Sequence, residues 1–213
     1  MMRRVLVRDL GETSYPYVFD KMRRFTRERN SESQDEIWLT EHLPVFTMGQ
    51  SAKKEHLIAP GATQVCYCDR GGQVTYHGPG QLTVYLLLDI RRMSLDIREL
   101  VTRIESCMIG CLSKFSIDAH RLQGAPGVYV ESKKIGALGL RVTKGRCYHG
   151  MSLNVDMDLK PFSRINPCGL LDMSVTQVAD YHQINMESVK LTILNELSEV
   201  FDFNLSRFDN PAL

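Results

Sequence analysis

The chain has 213 residues, of which 43% are apolar and 24% charged, and its formal net charge is +1. This length is typical of one domain with a substantial core, which we expect over residues 1–213. The nearly neutral charge argues against a general nucleic-acid binder. The most apolar stretch, residues 85–90, contains Asp89 and is too short to cross a membrane. The N-terminus combines basic residues with no long apolar stretch and no small-residue cleavage site, so we predict no signal peptide and a cytoplasmic protein.

The first half of the chain reads as short strands around one helix. Strands are predicted at residues 4–10, 35–40, 45–48, 64–68 and 81–90, the last of them well buried. Ser14 can cap a helix with Pro16 in its first turn. An apolar stripe then follows at helical spacing: Tyr15, Val18, Phe19, Met22 and Phe25.

The second half contains two helices and three strands. Residues 96–99 resemble a capping box that starts a helix with an apolar stripe from Leu100 to Phe115. Strands are predicted at 127–131, 134–142 and 147–155, and a last helix at about 186–201. Because the helices are grouped between strand runs rather than alternating with every strand, the pattern favours an α+β class over a doubly wound sheet.

The six cysteines have neither a C-x-x-C pair nor zinc-finger spacing, so they fit free thiols. Cys66 and Cys68 alternate on a predicted strand, and Cys107 and Cys111 share one face of a predicted helix. We interpret these four as core thiols, with a metal site as the alternative.

Residues 70–81, RGGQVTYHGPGQ, form the most unusual segment of the chain. Four glycines and a proline in twelve positions allow backbone conformations closed to other residues and let a ligand approach the main chain. The segment also carries Arg70, Tyr76 and His77, which indicates a pocket.

Cys168 differs from the other cysteines because it lies between Pro167 and Gly169, in a predicted turn where a thiol is accessible. A working thiol needs a nearby base or cation. Lys134, His77 and His149 are the candidates. A Cys–His pair suits a protease-like hydrolase and a Cys–Lys pair suits acyl transfer to an amine, and sequence spacing leaves both open.

Several segments resemble the lipoyl(octanoyl) transferases, the octanoyltransferases of protein lipoylation. They are the 70–81 loop, APGVYV at 125–130 leading into KKIGALGLR at 133–141, HGMSLNV at 149–155, and INPCG at 165–169. DEIWL at 35–39 and EHLPVFT at 41–47 match as well. The resemblance extends from the N-terminus to about residue 175, in the family's order, and the tail after Ser174 carries no further motif.

The resemblance implies the fold of the biotin and lipoate protein ligase catalytic domains, a mixed α+β sheet with helices packed on one side. It implies that an octanoyl group moves from octanoyl-acyl carrier protein to a lysine of a lipoyl domain. These domains belong to the E2 subunits of 2-oxoacid dehydrogenases and to the glycine cleavage H protein. No ATP, metal or other cofactor is implied, because a thioester keeps its acyl-transfer potential.

The site residues implied by the resemblance fall on matching positions. Cys168 carries the acyl group as a thioester, and Lys134 lowers the pKa of its thiol and handles protons. His149 is a possible supporting residue. The substrate-binding segments fall on Arg70, Gly71, Gly72, Gln73, Val74, Thr75, Tyr76 and His77, on Ala137, Leu138 and Gly139, and on Gly150, Met151 and Ser152.

Two rival functions share these features. An ATP-dependent lipoate or biotin ligase of the same fold would use the lysine but has no need of a cysteine at 168. A non-catalytic acyl-binding or lipoyl-domain-binding protein explains the pocket but not the combination of Cys168 and Lys134.

Five basic pairs suggest a patch for an acidic partner in a chain of nearly neutral total charge. The alternative is a scatter of solvated side chains. The pairs are Arg3–Arg4, Arg23–Arg24, Lys53–Lys54, Arg91–Arg92 and Lys133–Lys134.

Overall fold

The computed structural model describes residues 2–166 and 174–208. Within them the chain forms a large mixed sheet, a small sheet and three α-helices, which are α1 (Tyr15–Glu28), α2 (Ile97–Lys114) and α3 (Met186–Phe201). The strands are β1 (Arg3–Thr13), β2 (Asp35–His42), β3 (Val45–Met48), β4 (Gln64–Tyr67), β5 (Val74–His77), β6 (Gln81–Asp89), β7 (His120–Leu122), β8 (Ala125–Val130), β9 (Lys133–Thr143), β10 (Arg146–Asn154) and β11 (Phe203–Arg207).

The large sheet has the strand order β11-β1-β2-β6-β10-β9-β8-β7. Strand β1 pairs in parallel with β2 and β11, while the remaining neighbours are antiparallel. The small sheet has the order β4-β3-β5. This mixed topology confirms the α+β prediction, because a doubly wound sheet would be mostly parallel.

Helices α2 and α3 cover one face of the large sheet. Alternate residues of β6, from Leu82 to Leu88, pack there with Ile104 and Met108 of α2 and Ile193 of α3. Asp96 accepts a hydrogen bond from the Glu99 amide at 2.8 Å, so the predicted cap at the start of α2 is present.

Helix α1 covers the opposite face. Its Val18 and Met22 pack against Trp38, Tyr85 and Leu87. The expectation that the helices lie on one side of the sheet is therefore wrong. The helices lie on both faces because all nine residues of β6 are buried, and a strand that is apolar on both faces must be covered on both.

Most predicted elements are confirmed, and the bounds of β3 and α3 agree with the prediction. Ser14 stands at the predicted N-cap of α1, but its side chain makes no capping hydrogen bond. In the described part of the chain, no helix is long and apolar enough to cross a membrane.

The core assignment of the cysteines is only half right. Cys107 and Cys111 are fully buried, and burial raises the pKa of both thiols, that of Cys111 to about 12. Cys66 and Cys68 are only partly buried, because Cys66 lies on β4, an edge strand of the small sheet, and Cys68 follows directly after it.

Candidate active site

The glycine-rich segment forms one wall of a cavity of about 500 Å³, a size usual for small-molecule sites. The middle of the segment is not a loop, since Val74–His77 is strand β5, which pairs with β3. A tight turn follows, in which the Gln81 amide donates to the Gly78 carbonyl at 3.2 Å. The turn leads into β6, so the segment joins the two sheets where the cavity lies.

Arg70 holds the first half of this segment in place. Its guanidinium donates to the Thr47 carbonyl at 2.6 Å, to the Gln73 carbonyl at 2.7 Å and to the Gly71 carbonyl at 2.9 Å. A further bond of 3.1 Å reaches the Thr47 hydroxyl. Arg70 therefore lines the cavity while its charge is directed into its own loop and β3.

The floor of the cavity consists of small residues on β9 and β10. Gly139 lies opposite Gly150 and Ala137 opposite Ser152 in the antiparallel register. A side chain at Gly139 would place its Cβ 2.9 Å from the Gly71 carbonyl oxygen, and one at Gly150 would collide with the Val84 carbonyl. Both positions must stay without side chains for the loop and the sheet to approach so closely.

The cavity continues through the large sheet at a gap between β8 and β9. These two strands pair from Val130–Lys133 to Val128–Gly136. Beyond that point the Gly71 amide donates to the Leu140 carbonyl at 2.9 Å, so the glycine-rich loop takes up the edge of β9. Leu138 and Leu140 face the α2 side, where Ile97 and Val101 also line the cavity. The cavity thus offers an apolar slot that begins at one face and reaches the other.

Lys134 lies at the wall of this slot and is only 7% exposed. Its Nζ donates to the Pro126 carbonyl at 3.0 Å and lies 5.2 Å from the centre of the Tyr129 ring. The main chain of Lys134 is hydrogen-bonded to residues 174–176. The Lys134 N–H donates to the Ser174 carbonyl, and the Thr176 N–H donates to the Lys134 carbonyl, both at 3.0 Å.

A chain of hydrogen bonds connects His77 to this strand bridge. His77 Nδ1 lies 2.6 Å from Gln81 Oε1, and the side-chain nitrogen Nε2 of Gln81 donates to Asn154 Oδ1 at 3.0 Å. Asn154 in turn donates to the Thr176 carbonyl at 2.9 Å. Because Gln81 offers its oxygen, His77 carries its proton on Nδ1 and presents Nε2 as an acceptor. Burial lowers the pKa of His77 to about 3, so the ring is neutral.

His149 also lines the cavity, in an uncommon backbone conformation. Its φ of +62° turns a buried histidine out of the alternation of β10 towards α1, where it stacks on Phe19 at 5.4 Å. Its Nε2 lies 2.9 Å from Asp69 Oδ1, and Tyr148 donates to the same carboxylate. Burial lowers the pKa of His149, which keeps the ring neutral although a carboxylate lies beside it.

The cavity brings together most of the predicted site residues. Lys134, His149 and every predicted substrate-binding residue except one line it. The exception is Tyr76, which packs against Phe46 and Phe162 beneath the small sheet. Cys168 lies outside the described residues.

Several cavity residues were missed by the sequence analysis. Tyr15 was assigned to the core stripe of α1, and Thr83 and Tyr85 to a buried strand, yet all three line the cavity. Thr83 Oγ1 and His149 Nδ1 are buried polar atoms with no hydrogen-bond partner among the described residues. Buried polar atoms are seldom left unpaired, so these two are places where a ligand or water could bond.

The described residues contain no group of three or more histidine, cysteine or acidic side chains that could hold a metal ion.

The comparisons with known proteins place the chain in a family. The model of the lipoyl protein ligase A/B catalytic domain matches residues 14–198.

The chain belongs to the lipoyl protein ligase A/B catalytic domain family.

The match extends beyond residue 175, where the motifs resembling the family end. Among relatives in this family, the octanoyltransferase of Pseudomonas entomophila is 52% identical over 198 residues, which cover 92% of each chain. The octanoyltransferase of Vibrio cholerae serotype O1 (strain El Tor Inaba) is 49% identical over 212 residues, which cover 100% of this chain and 98% of the relative.

Solved structures support the fold. A lipoate-protein ligase A bound with ATP superposes with a TM-score of 0.79 at 16% identity, covering 99% of this chain and 91% of that chain. The biotin protein ligase of Aquifex aeolicus superposes with a TM-score of 0.53 at 15% identity, covering 95% of this chain and 70% of that chain. The predicted biotin and lipoate ligase fold is confirmed.

Proposed function

We propose that this chain is an acyltransferase that moves an octanoyl group from octanoyl-acyl carrier protein to a lysine of a lipoyl domain. The observation that carries the proposal is the position of Lys134, which is buried at the wall of an apolar slot. Its strand bonds to Ser174 and Thr176, a few residues after Cys168. The octanoyltransferases that match the chain over nearly its whole length support the same activity.

In the proposed first half-reaction, the Cys168 thiol gives its proton to the Lys134 amine and attacks the thioester carbonyl of the donor. A bond forms between Cys168 Sγ and the acyl carbon, and the bond to the carrier's sulfur breaks. The leaving thiolate takes the proton from Lys134. Charge on the carbonyl oxygen in the tetrahedral intermediate needs N–H donors, which the glycine-rich segment can supply.

In the second half-reaction, the target lysine amine attacks the Cys168 thioester. The new amide bond forms as the bond to Sγ breaks, and the proton released by the amine returns through Lys134 to the Cys168 thiolate. The acyl tail would stay in the slot between β8 and β9 during both steps, so that only the carbonyl is exchanged between partners.

We infer that no ATP, metal or other cofactor takes part, since each bond broken is a thioester. The acceptors would be the lipoyl domains of 2-oxoacid dehydrogenase E2 subunits and the glycine cleavage H protein, and the reaction would take place in the cytoplasm. An ATP-dependent ligase shares the fold and is the rival that the experiment must exclude.

The test is intact-mass measurement after incubation with octanoyl-acyl carrier protein, without ATP. We expect one octanoyl adduct on Cys168 that hydroxylamine removes, and none in Cys168→Ala. The control is Cys147→Ala, because Cys147 is fully buried and burial raises the pKa of its thiol to about 12. This variant should still form the adduct.

Two results would reject the proposal. One is full transfer by Cys168→Ala. The other is modification of a lipoyl domain by Cys168→Ala from free octanoate or lipoate with ATP, which would identify a ligase.

A further inference from the structure

A buried carboxylate on α2 lies behind the lysine of the site. Glu105 is 6% exposed, and it stands among the apolar residues of α2 that face the sheet. Its Oε1 accepts from the Gly127 amide at 2.9 Å, and its Oε2 accepts from Arg121 Nε at 3.0 Å. Burying a carboxylate is unfavourable unless it is paired and hydrogen-bonded, and Glu105 meets that requirement through Arg121 and the Gly127 amide.

Glu105 and Lys134 hold the two ends of one peptide unit. The N–H that Glu105 accepts belongs to Gly127, and the carbonyl to which Lys134 Nζ donates belongs to Pro126. These two groups flank the same C–N bond, which is planar and rigid. Fixing the direction of the N–H therefore fixes the direction of the carbonyl that holds the lysine.

The contact between this peptide and Lys134 is close. A Cβ on Gly127 would lie 2.9 Å from Lys134 Cε and 2.7 Å from the Gly136 carbonyl oxygen, and the φ of Gly127 is +129°. The position therefore requires glycine, and the peptide cannot be held there by a side chain of its own. Glu105 supplies the hold from the helix instead.

The carboxylate also acts electrostatically. A negative charge on the N–H side polarises the peptide and makes the carbonyl oxygen a better acceptor, since hydrogen bonds in series strengthen each other. Arg121 keeps Glu105 in place by donating to it while also bonding to the Thr102 carbonyl and Ser106 Oγ.

We infer that Glu105 is a positioning residue for Lys134, acting through the Pro126–Gly127 peptide. The inference rests on the proposed function, in which Lys134 exchanges a proton with Cys168. Among the described residues, Lys134 lines the cavity and Glu105 does not, so the role inferred for Glu105 is to set the place of the lysine.

The test is Glu105→Gln in the full chain, with Glu196→Gln as the matched control. Glu196 is equally buried, at 8% exposed, and lies on α3 away from the cavity. A glutamine accepts only through its oxygen, so either Gly127 or Arg121 loses its acceptor.

We expect Glu105→Gln to slow octanoyl-enzyme formation about tenfold or more, because small displacements of a catalytic group have effects of this size. The KM for the donor should change less, and alkylation of Cys168 by iodoacetamide should move to higher pH. Glu196→Gln should leave the rate of octanoyl-enzyme formation, the KM for the donor and the alkylation profile as in the parent.

A second variant and a second background complete the test. Glu105→Asp keeps the charge opposite Arg121 but is one methylene too short to reach both partners, and it should change the same readouts if Glu105→Gln folds poorly. In a Lys134→Met background, Glu105→Gln should change the rate of Cys168 alkylation at any pH by less than about twofold, because the effects of residues that act as a unit are not additive.

The outcomes separate this inference from the proposed function. If Lys134→Met shifts the alkylation profile but Glu105→Gln and Glu105→Asp do not, the positioning role is wrong and the proposed function stands. If Lys134→Met itself shifts nothing, the proposed role of the lysine fails first. An equal effect of Glu105→Gln with and without Lys134 would also overturn the inference.

Discussion

At the scale of single residues, Lys134 and its neighbour Lys133 offer a matched comparison. Lys133 is exposed and Lys134 is buried at the slot. Replacing Lys134 with Met keeps the length and removes the charge, so we expect octanoyl transfer to fall about 100-fold or more, the range usual for a lost acid–base group. The pH at which Cys168 becomes reactive to alkylation should rise. Peptide mass spectrometry measures the alkylated fraction at each pH. Lys133→Met should behave as the parent, and an unchanged profile in Lys134→Met would make His77 or His149 the candidate activator.

The buried histidines predict sensitivity to acid. Burial lowers the pKa of His42 to about 4 and that of His77 to about 3. In the unfolded chain both protonate near the ordinary value of 6.5, so the stability they contribute is complete above pH 6.5 and is lost as the pH falls towards 3–4. At pH 5 the loss is about 2 kcal/mol for each histidine.

Urea unfolding at pH 7.5 and pH 5.0 measures this loss. We expect His42→Gln to reduce the difference in unfolding free energy between the two pH values, whereas His182→Gln should not, because His182 is exposed. If His42→Gln keeps the parent's pH dependence, His42 is not the group that titrates.

Sequence reasoning identified some site residues and missed others for physical reasons. The 70–81 segment stands out because a loop rich in glycine has no role in a core. Lys134 did not stand out in this way, since the residues alone left it beside His77 and His149 as a candidate and only the family resemblance selected it. Tyr15 and Glu105 do not stand out, because each lies on the inward face of a helix. An apolar stripe has the same spacing whether it faces a core or a cavity, so Tyr15 could not be distinguished from Val18.

At the scale of elements, Arg70 determines whether the glycine-rich segment stays closed on β3. Arg70→Lys keeps the positive charge but loses the planar fork that bonds to three carbonyls and the Thr47 hydroxyl. We expect faster amide hydrogen exchange in residues 70–73 and a higher KM for the acyl donor. Arg98→Lys, an exposed position on α2, is the control. Equal exchange rates in Arg70→Lys and the parent would mean that the loop does not depend on the fork.

The strands that sequence analysis missed are short or unusual. Val74–His77 was included in the glycine-rich loop, although its four residues pair fully with β3. His120–Leu122 and Phe203–Arg207 form the two edges of the large sheet; the first is exposed throughout and the second only partly buried. Edge strands lack the clean alternation of a half-buried strand, so their pattern resembles a loop.

At the scale of the whole molecule, the basic pairs separate into two kinds. Arg92 lies 2.7 Å from Asp35 Oδ1, and Arg91 lies 3.0 Å from Asp89 Oδ2, so this pair is occupied within the fold. Lys53 and Lys54 are exposed, and the ion pair of Lys53 with Glu55, at 3.6 Å, lies on the surface. The Lys53 main-chain N–H donates to Gln73 Oε1 of the cavity wall at 3.4 Å, so the pair stands beside the cavity. The structure therefore favours Lys53–Lys54 over Arg91–Arg92 as a contact for an acidic carrier.

Charge reversal tests this distinction. Lys53→Glu with Lys54→Glu should lower kcat/KM for octanoyl-acyl carrier protein and reduce its dependence on salt, because charge steering acts on the encounter rate over a screening length of about 8 Å. A small soluble thioester donor should respond little. Arg92→Glu should instead lower the thermal midpoint, since it turns a like charge towards Asp35, which is 1% exposed. If both donors respond alike to the lysine reversal, these lysines are merely solvated surface.

The pairing of β11 with β1 has a consequence for how the protein is made. Residues 3–7 lie in register with residues 203–207, so one edge of the sheet joins segments separated by almost the whole chain. Contacts of such long sequence separation form late, because the intervening loop must close first. During synthesis, β1 leaves the ribosome long before its outer partner exists, and until then it has an open edge beside β2. The edge is therefore completed only after residues 203–207 have been synthesised, and a chain cut before residue 203 would keep the cavity elements but leave β1 open to pairing with other chains.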